Sequence, residues 1–183
     1  MELIKEIRDE VVNEEKSLTS VLRKAKIVAY SLQNDKFKNW IEAELNGYSE
    51  KDELPSYRKL ISPVHGTFTG PRGIKKNVQL PTSQFPDWIK ENPKEILFGN
   101  PIKEIESISD KDNEDLREPW PSEAAMVLRG EIEMSGGMVL EEVYQPIIPS
   151  QMDAILDAVR NRLLGFLLEL QEINPDILES EEA

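Results

Sequence analysis

The segment from Ser150 to Ile173 constrains the fold more than any other part of the chain, because it predicts one long helix. A serine at its start, with Asp153 three residues later, matches the pattern of a capping box. Apolar residues recur at heptad spacing, as expected of a buried seam. The seam consists of Met152, Leu156, Val159, Leu163, Phe166, Leu170 and Ile173.

The same helix carries further apolar side chains and two arginines. Leu164 and Leu168 lie opposite the seam, so the second half of the helix needs more than one neighbour: it is a core helix, or one shared with a second subunit.

Arg160 and Arg162 flank the seam, where a guanidinium can bind a carboxylate or a carbonyl while its stem lies on apolar surface. Asn161 points away from the seam. We expect structural pairing of the arginines first, and name Arg160, Asn161 and Arg162 as candidate partner- or ligand-binding residues.

Residues 1–47 predict three consecutive helices that form a small bundle. Ser17 is the expected cap of the second helix. The third carries Phe37 and Trp40, which we interpret as core residues, and Gly47 is suited to end it in a left-handed conformation.

Residues 48–121 are rich in proline, which excludes long helices through most of this region. Residues 64–69 and 74–80 predict two strands, joined by a Gly-Pro-Arg-Gly turn into a hairpin. Residues 102–108 predict either a strand or a short helix. The exposed faces of the hairpin carry the basic candidates for ligand or nucleic-acid binding, Arg72, Lys75 and Lys76.

Residues 122–178 predict the C-terminal helices, and residues 179–183 an acidic, frayed tail. Within this region we expect a helix over 122–134 and extended structure over 138–148, before the long helix. The whole chain, residues 1–183, is therefore expected to be one mostly helical α+β domain. This domain is expected to combine an N-terminal three-helix region, a central proline-rich segment with a β-hairpin or small antiparallel sheet, and a long C-terminal helix that is packed centrally.

The composition predicts where in the cell the protein is found and what kinds of partner it binds. The 183 residues include no cysteine, no stretch of about 18 apolar residues and no apolar run typical of a signal peptide, so we expect a cytoplasmic protein that does not enter a membrane. The net charge is −13, and residues 104–183 carry 20 acidic but only 5 basic side chains. A solvated acidic surface is the first interpretation, and a basic partner for the C-terminal part is the second.

Signatures of catalysis are missing from the sequence. His65 is the only histidine, which excludes a zinc site with two histidines and a relay that needs a second imidazole. The chain contains no phosphate-binding loop, dinucleotide fingerprint or nucleophile elbow. Acidic pairs such as Glu104 and Glu106 do not have the pattern of a magnesium nuclease. We therefore expect neither a metal nor a cofactor.

Five segments together carry a resemblance to a known family. They are residues 3–12, SLTSVLRKAKIVAYSL near the start, the WIEAELNGY run from Trp40 to Tyr48, the LPSYR run at 54–58, and AILDAVRNRLLGFLLELQEI in the long helix. The chain resembles the AbiTii family, which is grouped with bacterial abortive-infection proteins. The resemblance implies a role in antiphage defence with a toxin-like or effector-linked character. It supplies no active-site residue.

Two hypotheses follow. In the first, the chain is an oligomer-forming or partner-binding defence domain, with a second copy or another protein of a defence system as its partner. In the second, it is a toxin enzyme that acts on nucleic acid or nucleotides, through the basic hairpin. We favour the first, because no catalytic constellation is present.

Overall fold

The structure is a computed structural model that describes residues 2–49, 51–91, 94–110, 116–132 and 134–173. It contains the helices α1 (Glu2–Val11), α2 (Leu18–Ser31), α3 (Asp35–Asn46), α4 (Asp87–Lys90), α5 (Ile102–Ser109), α6 (Ser122–Glu131) and α7 (Pro149–Ile173). Its strands are β1 (Lys59–Leu60), β2 (His65–Gly70), β3 (Gly73–Gln79), β4 (Ile96–Leu97), β5 (Arg117–Pro119) and β6 (Val139–Pro146). The predicted class, mostly helical α+β, is confirmed.

The chain divides into two compact units. Unit 1 contains Met1–Arg58, Phe98–Asp112 and Pro149–Ala183, and therefore holds α1, α2, α3, α5 and α7. Unit 2 contains Lys59–Leu97 and Asn113–Ile148, with all the strands. None of the helices in the described ranges has the length and apolar character that crossing a bilayer requires.

In unit 1 the three predicted N-terminal helices are present, and their apolar faces are buried. The Asn34 side chain caps α3 by accepting a hydrogen bond from the Phe37 amide at 3.1 Å. Gly47 ends the helix with φ at +89°, and a Cβ there would lie 2.8 Å from the Gly99 carbonyl oxygen. Glycine is therefore required at this position both by the backbone conformation and by the close approach of a neighbouring loop.

The cap of α2 differs from the prediction. Ser17 makes no side-chain capping bond within its own helix. Instead, the carboxylate of Glu106 on α5 accepts hydrogen bonds from the Leu18 amide and from the Thr19 amide and hydroxyl. The free amide groups at the start of α2 are therefore satisfied by a side chain of another helix. Of the two structures predicted for residues 102–108, the helix is the one that forms.

We expect Glu106→Ala to lower the free energy of unfolding by about 1–2 kcal/mol, because it leaves the first amides of α2 without an acceptor. The control Glu104→Ala, on the exposed side of α5, should change it by less than about 0.5 kcal/mol. Urea denaturation followed by circular dichroism measures both. Equal effects for the two variants would show that the cap does not stabilise the fold.

The long helix α7 is present, but two details of its prediction are wrong. The helix begins at Pro149, so Ser150 lies inside it. Asp153 accepts a hydrogen bond from Ser109 and does not close a capping box. The buried row also departs from the heptad seam, because an α-helix has 3.6 residues per turn and a strict seven-residue repeat drifts around it. The buried residues are Met152, Ile155, Val159, Leu163 and Leu167.

The neighbours of α7 explain its apolar length. It packs on α5 and α1, and Phe166 contacts Phe37 of α3. Ile173, the last residue of the predicted seam, is 81% exposed.

Unit 2 is built on an antiparallel sheet of order β3-β2-β6-β5, in which the predicted hairpin forms β2 and β3. Helix α6 ends at Glu131, before the predicted Met134, and the predicted extended segment forms β6. Side chains around Phe68, Leu80, Leu128 and Leu140 form the core. A separate antiparallel pair joins β1 and β4.

Candidate functional site

A groove between α3 and α7 in unit 1 contains one of the arginines that the sequence predicts. Its volume is about 250 Å³. We call it the α3–α7 groove, lined by Asn34, Lys36, Phe37, Trp40, Arg162, Phe166 and Glu169. Trp40 and Arg162 also border a wider depression of about 510 Å³ beside the end of α3.

Stacked rings form the floor of the α3–α7 groove. The buried ring of Phe37 stacks on Phe166 with a centroid distance of 3.3 Å, and on Trp40 at 5.9 Å. The guanidinium carbon of Arg162 lies 5.4 Å from the centre of the Trp40 ring, a cation–π contact. Arg162 thus extends along an aromatic surface, and no hydrogen bond or ion pair to another described residue occupies its donors.

A buried polar network holds Trp40 in place. The Trp40 indole donates to the Tyr57 hydroxyl at 2.9 Å, and the hydroxyls of Tyr57 and Tyr48 each donate to the same carboxylate oxygen of Glu44 at 2.6 Å. The other carboxylate oxygen of Glu44 binds Arg58, and both side chains of this ion pair are 0% exposed. Because every member is anchored to another, the network fixes the position of the groove wall.

Arg58 links the network to a neighbouring loop. Its guanidinium donates to the carbonyl oxygens of Phe98 at 3.1 Å and Asn100 at 2.7 Å. Tyr48, two residues after the end of α3, is joined to the same loop, because its amide donates to the Gly99 carbonyl at 2.8 Å.

Burial and the adjacent Glu44 carboxylate raise the pKa values of both tyrosines. The pKa of Tyr57 rises to about 12, and that of Tyr48 rises further above its ordinary value of 10.0. In both cases the folded chain favours the protonated hydroxyl, which donates to Glu44. The two phenols are therefore structural donors at neutral pH.

This pKa shift predicts a loss of stability in alkaline solution. The folded pKa values lie above the unfolded value of 10.0, so the stabilisation is present below that pH and decreases as the pH rises above it. For Tyr57 the decrease extends to about pH 12, and for Tyr48 it extends further. Urea denaturation at a series of pH values should show this slope, and Tyr48→Phe with Tyr57→Phe should reduce it. An unchanged slope in the double variant would contradict the assignment.

The second half of α7 carries further exposed side chains beside and beyond the groove. Asn161, Arg162 and Glu169 are exposed, as are 46% of Leu168 and 81% of Ile173. Leu164 is half-buried. Leu168 and Ile173 are five residues apart, so they lie about 140° apart around the helix, and of the two only Ile173 lies on the same side as Arg162 and Glu169.

Arg160 has a structural contact. Its guanidinium donates to the carbonyl oxygens of Val11 at 3.2 Å, Glu14 at 3.5 Å and Lys16 at 2.6 Å. These carbonyls lie at the end of α1 and in the turn that follows, where a helix leaves acceptors unpaired. Arg160 therefore joins α7 to the end of α1.

The basic candidates Arg72, Lys75 and Lys76 belong to unit 2. Arg72 lies in the hairpin turn, and the two lysines lie on β3, which is an edge strand; all three are exposed. Successive residues of a strand point to opposite faces, so Lys75 and Lys76 diverge. The hairpin thus presents its charges in separate directions.

His65 begins β2 and is half-buried, and burial lowers its pKa. Its Nδ1 atom has no hydrogen-bond partner among the described residues. Within the same residues, no three histidine or acidic side chains are grouped as metal ligands.

Nothing in the local sequence pattern predicts the Glu44–Arg58 network. Glu44 and Tyr48 are four residues apart, but Gly47 ends α3 between them, so helical spacing does not predict their contact. The sequence also gives no sign that Glu44 and Arg58 are buried, because Glu and Arg side chains are usually at the surface.

Comparison with known proteins supports the family that the sequence resembles. The AbiTii family model matches residues 2–183, essentially the whole chain. No curated protein and no solved structure matches the chain significantly. AbiTii is an abortive-infection family, which indicates a role in antiphage defence. The chain therefore belongs to the AbiTii family of abortive-infection proteins.

Proposed function

We propose that this protein acts in antiphage defence as an oligomerising or partner-binding module, and that its binding surface is the α3–α7 groove with the exposed face of α7. The observation that carries the proposal is the combination of Trp40, Phe166 and Arg162 in one open groove beside an exposed Ile173.

The residue types support binding to a protein. Tryptophan and arginine are enriched among the side chains that dominate binding energy at protein interfaces. Here both are held in place before any partner arrives: Trp40 by its hydrogen bond to Tyr57, and Arg162 by the tryptophan ring. Preorganised side chains lose less conformational entropy on binding, so a small groove of this kind can contribute usefully to affinity.

The first test is a phage plating assay in cells that express the full chain. Arg162→Glu and Ile173→Glu each place a carboxylate on the proposed surface, and both residues are exposed, so folding should be preserved. We expect both variants to lose protection. The matched control is Val12→Glu, since Val12 is an apolar residue of unit 1 that is 63% exposed and lies outside the groove.

Circular dichroism and soluble yield show whether each variant is folded. Full protection by folded Arg162→Glu and Ile173→Glu would contradict the proposal. Loss of protection in Val12→Glu to the same degree would also contradict it, because the effect would then not depend on this surface.

A further inference from the structure

We infer that the partner of this surface is a second copy of the chain, and that two α7 helices pair antiparallel about a two-fold axis between Gly165 and Phe166. In this arrangement Arg162 of each copy binds Glu169 of the other. The inference rests on the proposed function and names its partner.

The charge pattern of α7 is complementary to itself. Arg162 and Glu169 are seven residues apart, which is within about 20° of two full turns, so both lie on the same face about 10.5 Å apart along the axis. Both also line the α3–α7 groove. An antiparallel copy reverses their order, so each arginine lies opposite a glutamate, and one axis creates both contacts.

Both side chains are free to make these contacts. Within the described part of the chain, neither Arg162 nor Glu169 forms an ion pair. Arg162 lies over the Trp40 ring, and its guanidinium can accept a carboxylate at its edge while keeping that contact. An arginine already fixed on an aromatic ring is well placed for a two-bond contact with a glutamate.

The apolar residues of the face fit the same axis. Gly165, next to the axis, has open space around the position of an added Cβ, so a second helix can approach closely there. Residues equidistant from the axis face each other, which places Ile173 of one copy over Ala158 of the other. Ile173 is 81% exposed and Ala158 is half-buried, so pairing would remove the most exposed large apolar side chain of the helix from water.

Charge reversal tests this geometry by sedimentation velocity on the full chain. Alone, Arg162→Glu puts four carboxylates at the two contacts, and Glu169→Arg puts four guanidinium groups there. We expect each single variant to weaken the dimer about ten- to thirtyfold, through repulsion at both contacts. An equimolar mixture of the two variants should restore dimerisation, because each contact then joins unlike charges. The double variant Arg162→Glu/Glu169→Arg should restore it as well.

The matched control is Arg23→Glu, which reverses an exposed arginine on α2 and should leave the dimer unchanged. Single variants that dimerise like the wild type would overturn the inference, as would a mixture and a double variant that both fail to recover. A wild type that remains monomeric, while Arg162→Glu loses protection in cells, would overturn the pairing. In that case the proposed function would stand, with another protein as the partner.

Discussion

Replacing Arg58 with methionine is expected to lower the free energy of unfolding by about 3–5 kcal/mol, because it leaves the Glu44 carboxylate buried without its cation. Both side chains are fully buried, so water cannot replace the lost contact. Urea denaturation followed by circular dichroism measures the change.

The control for Arg58→Met removes both charges. Arg58→Met with Glu44→Gln leaves no unpaired ion, and the amide oxygen still accepts from Tyr48 and Tyr57. This double variant should therefore be more stable than Arg58→Met alone. A single variant that loses less than about 1 kcal/mol, or a double variant that loses more than the single one, would contradict the role of the pair.

A second large effect is expected in unit 2, where Phe68→Ala should cost about 3–5 kcal/mol in the free energy of unfolding. Phe68 is 1% exposed and lies on β2 within the core of the sheet, so its removal leaves a cavity. The control is Ile74→Ala on the paired strand β3, where Ile74 is 65% exposed and should lose less than about 0.5 kcal/mol. A similar loss for the two variants would place the core of unit 2 elsewhere.

The parts of the fold that depend on local pattern could be predicted from the sequence. Helical spacing predicted α1, α2, α3 and α7, and the Gly-Pro-Arg-Gly turn between two short strands predicted the β2–β3 hairpin. In each case residues close in sequence determine the structure, so periodicity and turn chemistry are sufficient.

The parts that depend on distant residues were missed. Glu106 caps α2 from about 88 positions away in the chain, and its side chain replaces the cap that Ser17 was expected to provide. Helix α5 could not be told from a strand, because eight residues are too few for periodicity to decide. The buried pair of Glu44 and Arg58 depends on the return of the loop at Phe98 and Asn100, which no local pattern describes.

For the proposed binding surface, the sequence predicted the helix and the arginines but not their different surroundings. Arg160 and Arg162 are two residues apart, so they diverge around the helix. Arg160 binds backbone carbonyls after α1, whereas Arg162 lies over Trp40. Both sets of contacts are tertiary, so the local sequence pattern does not tell the arginine that binds backbone carbonyls from the one that lies over Trp40.

We propose that defence depends on reciprocal pairing through α7, and phage plating on cells that express two variants together can detect this pairing. Cells with Arg162→Glu alone or Glu169→Arg alone should lose protection, and cells with both variant chains should regain it, since only the mixed pair joins unlike charges at both contacts. Protection by either folded variant alone, or no recovery when the two are expressed together, would contradict the account.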